Sequence, residues 1–480
     1  MNPPIRFIGH PMIDVGVATL CAAAGVQKPD DLTPEAIEAF TQEIVDLYIS
    51  QAMSKFLTFV VFAGARFANP AHLDPKNDAK RRAVLADVIQ QWKPDVPPSQ
   101  HEVAAAEGEV CTFSGDPAKL RVSRLYIPMI TSETNPNFMP EGVPLLPISG
   151  WCLLALFAMP MGGLASKGKM WIVHSPDPDA TLYFAKRNLA RNRADFQREG
   201  LNKRPNYKFA RTYLLRDLSE AYKYRLARTN YPITVYHFTS SNQKSEIDIL
   251  QLSSPALRFI SEASRHLERD WNEVVKRAEQ LNTQTEEKDG AITYQDRNYF
   301  YEDLFDLPRN AHQFLRRYLM RDPLKGKPTG EAKNDPRYRY SFVEEANLVS
   351  WSLTSLFLKE IMQMNEERIE AIKTVADRIA QYIQEQDSRL FNQIFNARTE
   401  YDLRLALIRA SSRASAPLFT LDEYIDAFFT EGLNETLRSD WLLTRDLIVI
   451  RIIEKLYESN KVEIVKSAAA EADTAEASAS

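Results

Sequence analysis

Hydrophobic residues recur at steps of three and four along most of the chain, the spacing of one helix face. Between residues 32 and 64, Ile37, Phe40, Ile44, Leu47 and Tyr48 form such a stripe behind Thr33 and Pro34, which suit an N-cap and a first helical position. The spacing predicts one long helix there, fully apolar near its end. Shorter helices are predicted over 14–25, stopped by Gly25, and over 78–92. The run WCLLALFAMPMGGL (151–164) is apolar on all sides, too short to span a bilayer and interrupted by Pro160. It predicts a buried core helix. Strands are predicted at 169–175, 231–239 and 245–252, the last two a pair joined by SSNQK. From about 255 the helical step returns. Ile369, Ile372, Val375, Ile379 and Ile383 mark a face within 339–386, and helices follow near 399–412, 420–430 and 434–458.

These patterns predict an α+β protein, mainly helical, in four parts. They are a mixed N-terminal domain with short strands (1–254), a helical connecting region (255–335), a C-terminal antiparallel helical bundle (336–460) and a low-complexity, disordered tail (461–480).

Composition narrows the class. The chain has 480 residues and a net charge of −5, so it is not a basic nucleic-acid coat as a whole. Three dispersed cysteines, Cys21, Cys111 and Cys152, argue against a disulfide framework and fit a reducing cytosol. The opening MNPPIRFIGHP lacks a secretory pattern. A cytoplasmic protein without membrane segments is expected.

Motifs for catalysis are sparse. GLASKGKM (163–170) matches a phosphate-binding loop at Gly163, Gly168 and Lys169, but Met170 stands where a Ser or Thr is needed, and the segment leads into a strand instead of a helix. The seven histidines form no metal-protease motif, and no GxSxG elbow occurs. The expectation is a protein that is not an enzyme. CTFSG (111–115) resembles one half of a zinc turn with Ser114 in place of a cysteine, and no second CxxC is present. No metal or other cofactor is expected.

Charge is clustered. Residues 181–230 carry thirteen basic side chains against four acidic ones, interleaved with aromatics. Cations contact phosphates and aromatic faces stack on unpaired bases. Lys186, Arg187, Arg191, Arg193, Lys203, Arg204, Lys208 and Arg211 are the candidate phosphate contacts. A second cluster, 309–327, adds Arg316 and Arg317.

IGHPMIDVGVATLCAAAG (8–25) resembles the N-terminal signature of the CXXC–CXXC family of CRISPR-associated proteins, most specifically at Asp14–Gly16. CTFSG sits where that family has its first CxxCG, and PLLPISGWCLLALFAMPMGG (144–163) looks like the apolar helix that follows. The C-terminal half resembles the family's helical region. The resemblance implies the large subunit of a type I-B Cascade, an RNA-guided surveillance complex, with its zinc ligands eroded. Such a subunit sits with the backbone and 5′-handle-binding subunits of the guide RNA complex. It reads the short motif flanking the target (the PAM) in double-stranded DNA, supports the displaced strand, and presents a surface to a helicase–nuclease or a transposition factor. Base pairing by the guide reads the long sequence.

Asn and Gln suit base edges. Asn135 and Asn137 in one loop, and Asn242, Gln243 and Lys244 in another, are therefore the PAM-reading candidates. Family members also make a small helical subunit from an internal start, for which Met362 and Met364 are candidates. The alternatives are a scaffold that binds single-stranded RNA or another subunit without reading a PAM, and a cryptic metal-dependent nuclease.

Overall fold

The structure, a computed structural model, describes residues 5–68, 77–130, 145–198, 201, 203–226, 228, 231–240, 245–280, 285–286, 291–431 and 437–465. It is a mainly helical α+β protein. The chain divides into two compact units. The first comprises 1–254 with 281–297, the second 255–280 with 298–480.

The first unit is organised around a central helix, α1 (Pro11–Ala24). The His10 ring accepts from Ile13 N, Pro11 presets the first turn, and Gly25 ends the helix at φ 74° with its N–H on Ala22 O. The helix thus starts three residues before the predicted point. Met12 to Cys21 are all buried. Asp14 explains why the opening turn is fixed. Its carboxylate accepts from Ile8 N (2.8 Å) and Gly9 N (3.0 Å), and His174 Nε2 lies 3.1 Å away. Gly16 has a different purpose. A Cβ there would lie 1.9 Å from Ala155 O, so only glycine lets α1 cross α5 (Gly150–Ala158) this closely.

The predicted 32–64 helix is broken. α2 (Pro34–Ile49) ends at Ser50, whose extended backbone starts α3 (Gln51–Phe56), and α3 runs on into a π turn, Leu57–Val61. The two segments bend by 81°. Ser50 caps the second segment by accepting from Met53 N, and Ser54 donates back to Tyr48 O across the bend (2.8 Å). Helix α4 (Asp78–Ile89) and a 3₁₀ turn, Gln90–Trp92, follow.

A small antiparallel sheet joins β1 (Val103–Ala104), β2 (Leu120–Val122) and β3 (Leu146–Ile148). Next come β4 (Leu164–Ser166) and β5 (Lys169–His174), then α6 (Pro178–Phe196), β6 (Asn206–Tyr207), α7 (Ala210–Lys223), β7 (Ile233–Ser240) and β8 (Ser245–Leu252). Two short strands, β9 (Thr285–Glu286) and β10 (Ile292–Tyr294), complete a seven-stranded sheet in the order β9-β10-β6-β4-β5-β7-β8. GLASKGKM is the β4–β5 hairpin. Lys167 and Gly168 both have positive φ at its two-residue turn, so the segment cannot wrap a phosphate.

The second unit holds α8 (Ser254–His266), α9 (Glu268–Arg277), α10 (Tyr299–Leu304), α11 (Ala311–Phe314), α12 (Trp351–Glu360), α13 (Glu366–Glu385), α14 (Arg389–Phe395), α15 (Glu400–Arg413), α16 (Leu421–Phe428) and α17 (Trp441–Glu458). The expected connecting region does not stand apart. Phe259 meets Phe357 at 5.4 Å, and Phe314 stacks on Phe357 at 5.2 Å, so α8 and α11 share a core with α12. The isoleucine face of α13 is buried, and α13 packs on α17. Met362 and Met364 are half-buried in the turn between α12 and α13, just before the Asn365 N-cap. The first residues of the expected tail are ordered. Val465 is buried and Lys461 donates to Gln384 O (2.9 Å); residues 466–480 lie outside the described residues. Among the described residues no single helix is long and apolar enough to cross a membrane.

Candidate nucleic-acid interface

Helix α6 starts at Pro178 and buries Leu182, Phe184, Ala185 and Leu189. Its position is fixed by two asparagines. Asn188 donates to Gly162 O (3.0 Å), and Asn192 to Met161 O (2.7 Å) and Gly163 O (2.9 Å). The same helix carries Lys186, Arg187, Arg191 and Arg193, but it does not present them alike. Arg191 grips Asp217 of α7 through two bonds of 2.6 and 2.7 Å. Arg187 joins Asp217 (3.2 Å) and Glu220 (3.0 Å), and Arg193 forms a fork on Glu43 of α2 (2.8 and 2.6 Å). Arginine's planar fork suits these paired carboxylates.

Arg204 must be withdrawn as a phosphate contact. It is 6% exposed, packed 4.5 Å from the Phe56 ring centroid, and donates to Pro160 O (2.7 Å) and Gly163 O (2.8 Å). Burial pulls its pKa down to about 10, against the opposing effect of nearby Tyr48, Tyr207 and Asp195. Its physical role is to satisfy carbonyls where the apolar α5 run ends. The lysines differ from these arginines. Lys186 and Lys203 are exposed, and Lys208 and Arg211 are half-exposed. Lys186 has no partner among the described residues. Around them lie cations over rings: Arg198 over Tyr294 (5.8 Å) and Lys223 over Tyr224 (5.7 Å), the latter ring 60% exposed.

Asn135, Asn137, Asn242, Gln243 and Lys244 lie outside the described residues. The points where the chain enters their two segments are joined, however. Met129 N donates to the buried Ser240 Oγ at 3.0 Å, with Met129 held at φ 69°. Thr239 Oγ1 donates to Phe59 O (3.4 Å). Phe59 sits on the π turn after α3 and is 55% exposed. Sequence patterning could not pick out this ring, because the apolar run around it reads as core.

In the second unit Arg316, Arg317 and Arg321 of the basic cluster are engaged within the fold, while Arg309, Lys325 and Lys327 are exposed. Arg316 pairs with Asp322 (2.9 Å), and Arg317 donates to Asp322 O. Arg321 is fully buried on the Tyr340 ring (3.6 Å) and pairs with Glu345 (2.7 Å). Asp446, with no exposed side-chain surface, gathers Arg445 (2.7 Å), His312 (3.3 Å) and Arg316 (3.8 Å). Arg316 and Arg317 are thus already engaged with carboxylate and carbonyl groups.

The CTFSG turn packs against the start of α5, where Ser149 is the N-cap and Cys152 lies in the first turn. Cys111 and Ser114 meet Ser149 and Cys152, so CTFS (111–114) faces SGWC (149–152). Each turn keeps one cysteine, in mirrored order. The Cys111 and Cys152 thiols are close enough to perturb one another, with Ser114 and Ser149 beside them. Both cysteines are buried and free. The Cys152 hydrogen bond, with help from Ser114, lowers the pKa of Cys111 against the opposing effect of burial. The bond to Cys111 and burial drive Cys152 the other way. Two thiols and two hydroxyls do not fit a structural zinc, which takes four Cys or His ligands. Among the described residues no group of three or more His, Cys, Asp or Glu is placed to hold a metal.

Comparison with protein-family models, curated proteins and solved structures finds no match for this chain.

Proposed function

We propose that the protein is the non-catalytic large subunit of a type I-B RNA-guided surveillance complex, working in the cytoplasm. It reads the PAM in double-stranded target DNA, steadies the opened strands and offers a surface to a helicase–nuclease or a transposition factor. The observation that carries this reading is the meeting of the two turns, Cys111–Ser114 and Ser149–Cys152, each with half of a paired-cysteine motif. It brings a second cysteine, Cys152, beside the first, which supports the resemblance. The buried Asp14 and the Gly16 crossing give the most specific part of that resemblance a structural reason.

The shared entry of the two asparagine-bearing segments supports PAM reading. The exposed Phe59 ring next to Thr239 is suited to DNA contact, because apolar rings wedge between base steps when a duplex is kinked. Lys186, Lys203, Lys208 and Arg211 supply phosphate contacts. Translation from Met362 or Met364 would begin just ahead of α13 and yield the small helical subunit.

The test is capture of duplex DNA by the complex assembled with guide RNA and backbone subunits. Single-base changes in the target flank are expected to abolish capture while the guide-matched region stays constant. Flank-insensitive capture would replace PAM reading with the scaffold alternative, which the cation–ring pairs at Tyr224 and Tyr294 favour.

A further inference from the structure

Three cysteines are buried and free, and two of them lie on segments that the backbone ties together. Thr112 N donates to Pro147 O (2.9 Å) and Lys119 N to Ile148 O (2.9 Å), so both sides of the Cys111 turn are fastened to the strand that runs into α5. Asp116 adds a further tie. Its backbone oxygen accepts from Cys111 N (2.6 Å), and its carboxylate accepts from Nε1 of Trp151 (2.9 Å), the residue before Cys152. The third cysteine, Cys21, lies on α1, where burial pushes its thiol up to about 12. None of the roles above uses the chemistry of these thiols.

The tied pair is unequal. Cys152, the Ser114 hydroxyl and the backbone at Ser149 lower the pKa of Cys111 against burial, whereas Cys111 and burial raise that of Cys152. One sulfur is therefore the readier thiolate and the other stays a thiol. A thiolate is the nucleophile in cysteine chemistry, and a neighbouring thiol resolves the product formed on it. Cys111 is 2% exposed, yet Val110 beside it is 57% exposed and Thr112 also reaches solvent. A small oxidant thus meets Cys111 one residue beneath the surface, with the fully buried Cys152 behind it.

We propose that Cys111 and Cys152 form an oxidative modification site for hydroperoxides, with Cys111 the attacking sulfur and Cys152 the resolving one. The Cys111 sulfur breaks the O–O bond, keeps one oxygen as a sulfenic acid and releases the alcohol, or water from hydrogen peroxide. The Cys152 sulfur then attacks the Cys111 sulfur. An S–S bond forms, and the sulfenic oxygen leaves as water with the Cys152 proton. The two thiols give up two electrons and two protons, and the hydroperoxide is reduced to alcohol and water. The backbone ties hold both partners in one chain throughout, so the product staples the Cys111 turn to α5. A dithiol reductant reverses it by exchange. The proposal does not depend on the nucleic-acid reading.

The test uses the reduced full-length protein at neutral pH, treated with hydrogen peroxide and, separately, with tert-butyl hydroperoxide. Free thiols are counted under denaturing conditions, and linked peptides are mapped by mass spectrometry without reduction. Free thiols are expected to fall from three to one, through a single Cys111–Cys152 link within the chain that dithiothreitol reverses. Cys21 is expected to oxidise at least about tenfold more slowly than the pair. In Cys152→Ser, dimedone, which traps sulfenic acids, is expected to label Cys111. Three thiols retained in excess hydroperoxide, oxidation of Cys21 at the rate of the pair, or links formed only between chains would each overturn the proposal. The map of the unaltered protein decides this without any variant, and dimedone on Cys21 instead of Cys111 in Cys152→Ser would overturn the assigned order of attack.

Discussion

Two basic stretches look alike in the sequence and are used differently. In the first unit, α6 turns Arg187, Arg191 and Arg193 onto carboxylates and leaves Lys186 in solvent. In the second unit, Arg316, Arg317 and Arg321 are all folded onto Asp322, Glu345, Tyr340 or Asp446. The lesson is that local charge excess overstates the binding surface wherever arginine is the cation. Arginine forms bidentate bonds at partly buried positions, whereas the compact, strongly hydrated lysine ammonium favours solvent. Of the candidate contacts on α6, Lys186 is the exposed one.

The largest effect is expected where a self-satisfied interior is converted into one that seeks a ligand. Ser114→Cys with Ser149→Cys completes four thiols in the facing turns. The double variant should bind one zinc per chain and gain roughly 10 °C in Tm when zinc is well above Kd. Absence of zinc by elemental analysis would separate the turns from a metal-site ancestry.

Next come the paired arginines. Arg191→Ala leaves Asp217 with Arg187 alone and Arg321→Ala leaves Glu345 with Arg277 alone, and each should cost about 1–3 kcal/mol of stability in chemical denaturation. If either variant kept its stability but lost nucleic-acid binding, the contrast between inward and outward cations would break.

Acid should separate the units further. Burial raises the pKa of Asp446, but His312, Arg445 and Arg316 outweigh it and hold the carboxyl below its usual value. A depressed carboxylate contributes fully above about pH 4, and the contribution is lost as pH falls through the folded value. Asp446→Asn should therefore flatten the acid dependence of Tm below about pH 4.

The smallest effect on stability is expected at Lys186. Lys186→Ala should leave Tm unchanged and reduce the slope of log binding constant against log salt by about 0.9.

Local signals carried much of the fold. Gly25 as a helix stop, the apolar run of β5, the alternation in β7 and β8, and the isoleucine face of α13 all mark elements where they stand. Long-range pairings were not legible. Nothing near Ser50 separates it from a helical serine, because the 81° bend is set by what α2 and α3 pack against. Strands β9 and β10 return to the first unit's sheet from beyond α9, a pairing no local pattern encodes. The candidate interface was legible as composition only. Which cations face outward depended on Glu43, Asp217 and Glu220, which approach from other helices or the next turn.

The central claim is that outward lysines of the first unit hold target DNA for an RNA-guided complex. Its most direct test is the combined variant Lys186→Ala, Lys203→Ala, Lys208→Ala and Arg211→Ala in the assembled particle, with duplex capture measured across a salt series. Loss of capture at physiological ionic strength is expected, with a salt slope lower by about three to four. Capture and slope equal to those of the unaltered protein would contradict it.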